Sequence, residues 1–521
     1  MTSFKPSVCI LTAGTGKRSG PFAHIINKCL LPYNGRAIIS HLIDHFSLDT
    51  PIVIALGYKA EQVRAYLTLM HPDRNFMFVE VDRFVGEGTG PGYSLACCKK
   101  LLPGAFYFIA GDGVFDHIPN HHDKNWLGVS SANGVDVSDY CNIAYNPVSG
   151  LANAFFDKVT PSKGSANTIG IFTGLMFIKD VAVFWDGLER NIPTTNERQI
   201  SQGFSSLLDV GKLYCEAVTW CDLGTFEHYK AAINEPFDFS KTEEFIYFSE
   251  TRIVKFFADV NIVVQRVKKT DHLPDTFPKI IGRNGQFYAY EKVTGKTAYE
   301  MLDGPLVDKF LAWMKREFWK PYDAAPGRIE ALCVDFYREK TAQRLAAYKK
   351  KYPDIAEART VNGKSVNGID KLLEKLPASL FAGIPVFIHG DLQFDNIITD
   401  GENFTLIDWR QDFAGETAFG DWYYDLAKLL GGIYLNYDYV KQGYMRFEQR
   451  GDVVWMDFAM REQSHAYARQ LRIFVENEGL DYKRVEILRG LIYLNMSPLH
   501  HTPFDRLLYA LAQTTLTEAL S

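Results

Sequence analysis

The run Leu11-Thr12-Ala13-Gly14-Thr15-Gly16-Lys17-Arg18 sets two glycines and two cations directly after an apolar stretch. Glycine lets a backbone approach a triphosphate closely, loop N–H groups face its oxygens, and Lys17 and Arg18 face its charge. Ser19 stands where a dinucleotide-binding G-x-G-x-x-G loop needs its third glycine, which disfavours an NAD domain. A second constellation lies far along the chain: His389-Gly390-Asp391, then Asn396, then Leu406-Ile407-Asp408-Trp409. H-x-D-x-x-x-x-N fixes an aspartate and an asparagine on one loop leaving a strand, and a second strand delivers Asp408 beside them. In phosphoryl transfer such an aspartate accepts the proton of a substrate hydroxyl, while the asparagine and the later aspartate hold Mg2+.

Different elements must position these two sets. Up to about residue 235, short β-rich runs (SVCILTA, PIVIALG, FMFVEV, AFYFIAG) alternate with helical patterns (AIISHLIDHF, AEQVRAYLTLM). That alternation predicts a mostly parallel sheet covered by helices. YCNIAYN, NAFFDKV and GIFTGLMFI read as later strands, and the polar EPFDFSKTEE as a linker. FIYFSE and TRIVKFF then read as paired strands, VNIVVQRVKKTDHL as a helix, and KIIGRNGQFYAYEKV as a hairpin turning at Asn284-Gly285. After residue 297 the pattern is largely helical, apart from VFIHGD and FTLIDW, which read as short strands; a polar helix is expected around Tyr348–Arg359. The expected organisation is an amino-terminal domain over 1–238 and a bilobal domain over 239–521, its small β-rich lobe at about 244–294 and its helical lobe at about 295–521.

With Asn27-Lys28-Cys29-Leu30-Leu31-Pro32 following it, the glycine loop resembles the signature of the sugar-nucleotidyltransferase superfamily, over roughly residues 7–235. This resemblance implies a Rossmann-like α/β domain in which Ala13, Gly14, Gly16 and Lys17 cradle a nucleotide. It further implies Arg18 as the clamp on leaving pyrophosphate and Lys28 as a phosphate ligand. The family usually has proline before this lysine, where this chain has Asn27. Glu87-Gly88-Thr89-Gly90-Pro91-Gly92 resembles the family's second loop, around the base. Asp112, after the apolar Phe108-Ile109-Ala110, and Asp222, in WCDLGT, take the places of the family's two Mg2+ carboxylates. Lys158, Gly174 and Glu197 stand where the family contacts its acceptor. In that chemistry an acceptor phosphate attacks the α-phosphorus of a nucleoside triphosphate, mainly by alignment and charge neutralisation.

The HGD-x4-N and IDW motifs resemble the aminoglycoside phosphotransferase and choline kinase family, of protein-kinase-like fold, over about residues 245–515. The resemblance implies Asp391 as base and Asn396 and Asp408 as metal ligands, with His389, Asp421 and Asp425 bracing the loop. It points to Lys255 as the strand lysine on the ATP phosphates and to Tyr290-Glu291-Lys292-Val293 as the adenine hinge, so that Glu291 and Val293 contact nucleotide. The kinase fold pairs its strand lysine with a helix glutamate, and VNIVVQRVKKTDHL contains none; Gln265 or Asp271 are the candidate substitutes.

Hydrophobic residues make up 47% and charged residues 23% of the 521, as in soluble globular proteins. The net charge of −6 advertises no polyanion partner, so a nucleic-acid binder is disfavoured. No apolar run reaches the ~18–20 residues that span a bilayer, and the first residues make a poor signal peptide. The eight cysteines include no C-x-x-C pair and read as thiols in a reducing cytoplasm. Asp112-Gly113-Val114 is not the D-x-D of a glycosyltransferase.

The expected protein is a bifunctional cytoplasmic enzyme. It phosphorylates a small molecule with ATP, then joins a second NTP (CTP favoured) to that phosphate for surface polysaccharide or lipid modification. Mg2+ serves both steps, and a homo-oligomer is possible. Choline is one candidate acceptor, with Trp422, Tyr423 and Tyr424 as the aromatic cluster to test, and sugars or amino-acid derivatives fit equally well. The alternatives are a transferase regulated by a non-catalytic kinase-like sensor and a scaffold of decayed enzymes.

Overall fold

The computed structural model describes residues 5–131, 137–157, 159, 168–190, 197–233 and 243–521. In the amino-terminal half, apolar runs bounded by glycine, proline or asparagine form strands β1 (Ser7–Leu11), β2 (Ile52–Leu56), β3 (Phe76–Glu80), β4 (Phe106–Ala110), β5 (Gly113–Phe115), β6 (Asn125–Ser131), β7 (Cys141–Tyr145), β8 (Ala152–Asp157), β9 (Thr168–Ile178), β10 (Leu213–Ala217) and β11 (Trp220–Asp222). The main sheet runs β8-β7-β9-β4-β1-β2-β3, with β6 on β9 and β10 on β6. Its centre is parallel: Val8 pairs with Ile52 and Tyr107, and β3 continues beside β2. β6 and β10 are also parallel, whereas β9 is antiparallel to β4, β6 and β7. Helices α1 (Ile38–Asp44), α2 (Ala60–Met70) and α3 (Pro91–Cys97) carry the chain from β1 to β2, from β2 to β3 and from β3 back across the sheet to β4. Strand alternation splits the core in two: Val8, Ile10, Ile52 and Ile54 join one cluster, Cys9, Val53 and Ala55 the other. Helices α4 (Val181–Arg190) and α5 (Ser201–Asp209) feed Phe184 and Phe204 into the second. The glycine loop is followed by a 3-10 segment, Lys17–His24, interrupted at Gly20 (φ 60°) and Pro21, so an α-helix does not form there. A further helix, α6 (Phe226–Ile233), follows β11.

Strands β12 (Glu244–Phe248), β13 (Arg252–Phe257), β14 (Ile280–Asn284) and β15 (Phe287–Glu291) form a four-stranded sheet in the order β12-β13-β15-β14. Its hairpin turns at Gly285-Gln286, one residue later than expected, because the left-handed position (φ 52°) falls on Gly285. By their contacts, 243–260 and 282–289 group with the amino-terminal half, and 261–281 and 290–521 form a second unit. Within the first unit β12 packs beneath the glycine loop's partner segment: the Tyr247 hydroxyl donates to the Leu30 carbonyl at 2.7 Å, and the Phe245 and Phe22 rings meet at 5.9 Å. The expected boundary near residue 238 lies outside the described residues.

The second unit carries most of helix α7 (Val260–Thr270) and then α8 (Gly304–Trp313), α9 (Arg328–Val334), α10 (Lys340–Lys351), α11 (Trp422–Tyr434), α12 (Ser464–Asn477), α13 (Tyr482–Met496) and α14 (Phe504–Ala519). A short hairpin of β16 (Ile397–Thr399) and β17 (Phe404–Leu406) links the two motif segments. Three expectations are corrected. Within VFIHGD only Val386 is strand, because the following backbone N–H groups are spent elsewhere: Phe387 on Lys320, His389 and Gly390 on Asp425. The polar helix stops at Lys351 instead of reaching Arg359, as Pro353 disfavours helix in the residue before it. A hairpin, Met445–Arg450 with Val453–Phe458, interrupts the helical region.

Candidate active sites

In the first unit the loop after β1 is pressed into place by backbone close approach. A Cβ on Gly57 would lie 2.7 Å from the Ala13 carbonyl oxygen, and one on Gly111 2.5 Å from that of Leu11. Ala13 is buried, Gly16 adopts φ 63° and accepts the Ser19 N–H at 2.8 Å, and Lys17 and Arg18 are exposed. Asn27 explains its own departure from the family pattern. Its side-chain amide donates to the Thr12 carbonyl at 2.9 Å and the Tyr58 carbonyl at 2.7 Å, its Oδ1 accepts the Cys29 N–H at 3.1 Å, and its N–H donates to Gln62 Oε1 at 2.9 Å. The residue before Lys28 thus ties together the loops after β1 and β2.

Lys28 Nζ donates to Asp112 Oδ2 at 2.9 Å. Lys28, with Arg18 adding to the field, holds the Asp112 carboxyl below its ordinary value despite the cost of burial. Asp222 reaches the same place from another strand. The β5–β11 ladder pairs it with Gly113, and the Leu223 N–H donates to the Asp112 carbonyl at 3.1 Å. A Cβ on Gly224 would lie 2.6 Å from Asp222 Oδ1, 3.4 Å from Lys28 Nζ and 3.5 Å from Asp112 Oδ2, so three candidate groups converge on one glycine. The sequence reading missed that Asp222 is itself supported: Oδ2 accepts the Tyr140 hydroxyl at 2.6 Å and lies 2.8 Å from His228 Nδ1, and Oδ1 accepts the Gly224 N–H at 2.7 Å.

The second loop is stitched to the segment carrying Glu197. Thr89 bridges Glu197, the Arg198 N–H donates to the Thr89 carbonyl at 2.7 Å, and the Gly92 N–H donates to the Arg198 carbonyl at 2.8 Å. Gly90 (φ 129°) has no room for a side chain there, whereas Gly88 faces open space. Gly174 (φ 79°) interrupts the register of β9, and its Cβ would lie 2.7 Å from that of Ala110. Packing against the strand that leads to Asp112 therefore requires glycine at 174. Lys158 lies outside the described residues; its neighbour Asp157 accepts a hydrogen bond from Ser201.

In the second unit the catalytic-loop candidates are held by buried polar groups. Asp425 of α11, fully buried, accepts the N–H groups of His389 and Gly390, each at 2.8 Å, and the Trp319 indole at 3.0 Å. Asp421 caps the same helix and takes Arg484 at 3.0 Å and the Tyr337 hydroxyl at 2.8 Å. His389 Nδ1 accepts the Asp391 N–H at 3.2 Å, which leaves Nε2–H to donate to the Ile407 carbonyl at 2.9 Å. Burial pulls its pKa down to about 4, so the ring is a neutral strut between the two motifs. Asn396 donates to the Asp391 carbonyl at 2.8 Å, and its own carbonyl accepts the Ile407 N–H at 2.9 Å, next to Asp408.

Two cations here were not anticipated. Lys428 Nζ lies 2.5 Å from Asp391 Oδ1; burial raises the pKa of Asp391, but Lys428 more than offsets it and the net shift is downward. A lone lysine in the apolar helix YYDLAKLL, three residues after Asp425, is the signal that could have found it. Arg266 of α7 lies 2.8 Å from Asp408 Oδ1. Asp408 sits at φ 55°, Trp409 Nε1 donates to the Arg266 carbonyl at 2.9 Å, and Lys269 donates to the Arg410 carbonyl at 2.8 Å. Lys255 is buried on β13, within the first unit. Glu291 ends β15, exposed and 2.9 Å from Lys279, and Val293 follows half-buried. Tyr423 and Tyr424 are core: Tyr423 lies under the Arg484 guanidinium at 3.9 Å, and Tyr424 packs on Phe336 at 5.0 Å.

Among the described residues no cluster of three or more His, Cys, Asp or Glu side chains is arranged to hold a metal ion unaided. The residues that the two resemblances name could each offer a pair of hard oxygen donors, Asp112 with Asp222 and Asn396 with Asp408. That donor set suits Mg2+ sharing its remaining positions with water and phosphate oxygens. None of the described helices is long and apolar enough to cross a membrane.

Residues 250–449 match the phosphotransferase enzyme family, and this segment is a domain of that family. The amino-terminal half is similar to sugar nucleotidyltransferases: it shares 23% identity over 224 residues, 41% of this chain and 51% of the relative, with the bifunctional protein GlmU of Methanococcus vannielii. The chain spans about half the length of the curated relatives it matches. Among solved structures it is similar to a UDP-glucose pyrophosphorylase complexed with UDP-glucose (16% identity, 44% of this chain and 98% of that one, TM-score 0.38). It is also similar to the CTP:phosphocholine cytidylyltransferase of Streptococcus pneumoniae (17% identity, 44% and 98%, TM-score 0.35). A nucleotidyltransferase-like half and a phosphotransferase domain, both of enzyme families, thus share one polypeptide.

Proposed function

We propose that the two halves catalyse consecutive steps: the carboxy-terminal domain converts X–OH to X–phosphate, and the amino-terminal half converts X–phosphate to NDP–X. What supports this reading is that Asp112 lies beside Lys28 in one half, and Asp391 and Asp408 lie beside Lys428 and Arg266 in the other, two candidate sites whose chemistries are compatible in sequence. In the first step the hydroxyl oxygen of X attacks the γ-phosphorus of ATP, its proton passes to Asp391, and ADP leaves. Asn396 and Asp408 would hold the Mg2+, which supplies charge neutralisation at the phosphates. In the second step an oxygen of X–phosphate attacks the α-phosphorus of the second NTP and pyrophosphate departs. Arg18 and Lys28 neutralise its charge, Asp112 and Asp222 would hold Mg2+, and Gly88-Thr89-Gly90 line the base. Lys158, Gly174 and Glu197 belong to the acceptor side, and Lys255, Glu291 and Val293 to the ATP of the first step.

CTP is the second nucleotide we favour, through the choline-kinase-like motif of the carboxy-terminal half; choline, sugars and amino-acid derivatives are the acceptor classes. The product would serve surface polysaccharide or lipid modification from the cytoplasm. The protein supplied with ATP, each NTP, Mg2+ and a panel of alcohols is expected to release ADP and then pyrophosphate, and release of neither overturns the reading. The Arg266–Asp408 contact and the missing helix glutamate favour one alternative, a transferase controlled by a non-catalytic ATP sensor. ATP-dependent phosphorylation that Asp391→Asn abolishes while ATP binding persists would exclude it.

A further inference from the structure

The helix that supplies a glutamate in the protein-kinase-like fold supplies arginine and lysine to this site. α7 is docked on the Asp408–Arg410 segment through three contacts: Arg266 Nη1 to Asp408 Oδ1 at 2.8 Å, Trp409 Nε1 to the Arg266 carbonyl at 2.9 Å, and Lys269 Nζ to the Arg410 carbonyl at 2.8 Å. Two of these fix the helix backbone and its last turn, so Arg266 is placed by its element and not by the ion pair alone. The Arg266 side chain is 10% exposed and that of Asp408 41%, so the pair opens on the Asp408 side. Asp408 itself holds a left-handed backbone, φ 55°.

We propose that Arg266 is a phosphate-binding cation of the carboxy-terminal site, contacting the terminal phosphoryl oxygens of ATP from its seat on Asp408. The inference rests on the phosphotransferase reading of this domain and adds a residue to it. A planar guanidinium with five N–H donors can serve a carboxylate and a phosphate oxygen together, which an ammonium does less well. It also explains why α7 can do without an acid. In the kinase fold the helix glutamate orients a lysine that reaches the phosphates from a strand; here α7 brings a further cation of its own. Lys269, committed to a backbone carbonyl, is a positioning residue for the same helix.

The test is ATP binding to the full chain, read by half-saturation of 8-azido-ATP photolabelling on peptides from 250–449, so that the amino-terminal site does not contribute. Arg266→Ala is expected to weaken labelling about tenfold or more in EDTA, and Arg266→Lys to recover part of the loss. With Mg2+ present, the KM for ATP should rise more than kcat falls, while Lys268→Ala, exposed on the same helix, leaves both unchanged. Unchanged labelling in Arg266→Ala would overturn the proposal, as would tighter Mg2+-dependent labelling, which would mark Arg266 as a competitor for Asp408. If Arg266→Ala fails to fold, Arg266→Met retains the packed stem and gives the same readout. A wild-type chain that labels but phosphorylates nothing would refute the enzymatic reading while leaving the role of Arg266 to be decided by the labelling.

Discussion

The two candidate sites use the same kinds of group and are held in different ways. In the first unit, glycines bring backbone against backbone, strand pairing brings Asp222 to Asp112, and a 3-10 turn capped by Asn27 adds Lys28. In the second, buried side chains do the work: Asp425 holds the loop's N–H groups, His389 spans two motifs, and Lys428 and Arg266 sit on the two aspartates. A site built by close approach has little tolerance at its glycines, while one built by buried polar braces has little tolerance at residues that never meet a substrate.

The largest effect expected is a double dissociation. Asp391→Asn should lower ATP-dependent phosphorylation by about 10²–10⁴-fold and leave pyrophosphate release from a supplied X–phosphate unchanged; Asp222→Asn should do the reverse. Loss of both activities in either variant would break the separation of the sites. Next comes Asn27→Pro, which installs the residue the family usually carries. It removes an N–H bonded to Gln62 and two side-chain bonds to carbonyls, at a cost of about 2–3 kcal/mol. Thermal unfolding should shift down and nucleotidyl transfer fall, with phosphorylation spared; an unchanged transition would show that the tie is dispensable.

A smaller effect separates the halves by pH. Burial, with Arg36, Arg74 and Arg252 nearby, drops the His71 pKa from 6.5 to about 3, so the stability it contributes is full above pH 6.5 and is lost as the pH falls from there towards 3. His389 acts with the same sign in the second unit, between 6.5 and about 4. There it is opposed by Asp395, which burial and the neighbouring Asp391 and Asp408 raise from 3.8 to about 7, and whose contribution is lost as the pH rises through that range. Segment-resolved hydrogen exchange, corrected for intrinsic rates, should therefore show β1 and β2 losing more protection than α11 and α13 between pH 7 and pH 4.5. Equal losses would refute this, and His71→Gln should narrow the difference. The smallest effect is Lys428→Met, expected to raise the apparent acidic pKa of the phosphorylation rate by freeing Asp391 from its cation; an unmoved profile would remove Lys428 from the reaction.

Much of this was legible in the sequence because it is local. The G-x-G-x-R loop, the H-x-D-x4-N spacing and the alternation of β1, α1, β2 and α2 are short-range patterns. What escaped was long-range: Asn27 bonds loops from two strands, Tyr140 and His228 meet on Asp222, Lys428 reaches Asp391 from a later helix, and Arg266 reaches Asp408 across more than a hundred residues of chain. The turn at Gly285 slipped by one residue because Asn284 and Gly285 can each take a left-handed position. The hairpin at 445–458 does carry a strand's alternation of burial, but it stands alone among segments that follow a helical period.

Gly14, in the loop after the first strand, differs in one further respect from the glycines that pack against that loop. Gly57 and Gly111 are walled in by carbonyl oxygens, but Gly14 meets nothing within 4 Å and does not need a left-handed backbone. A methyl group at position 14 would thus burden only an incoming guest: Gly14→Ala should melt like the parent protein yet exclude its nucleotide. That gives a clean steric probe of occupancy and a starting point for a bump-and-hole pair with a trimmed triphosphate.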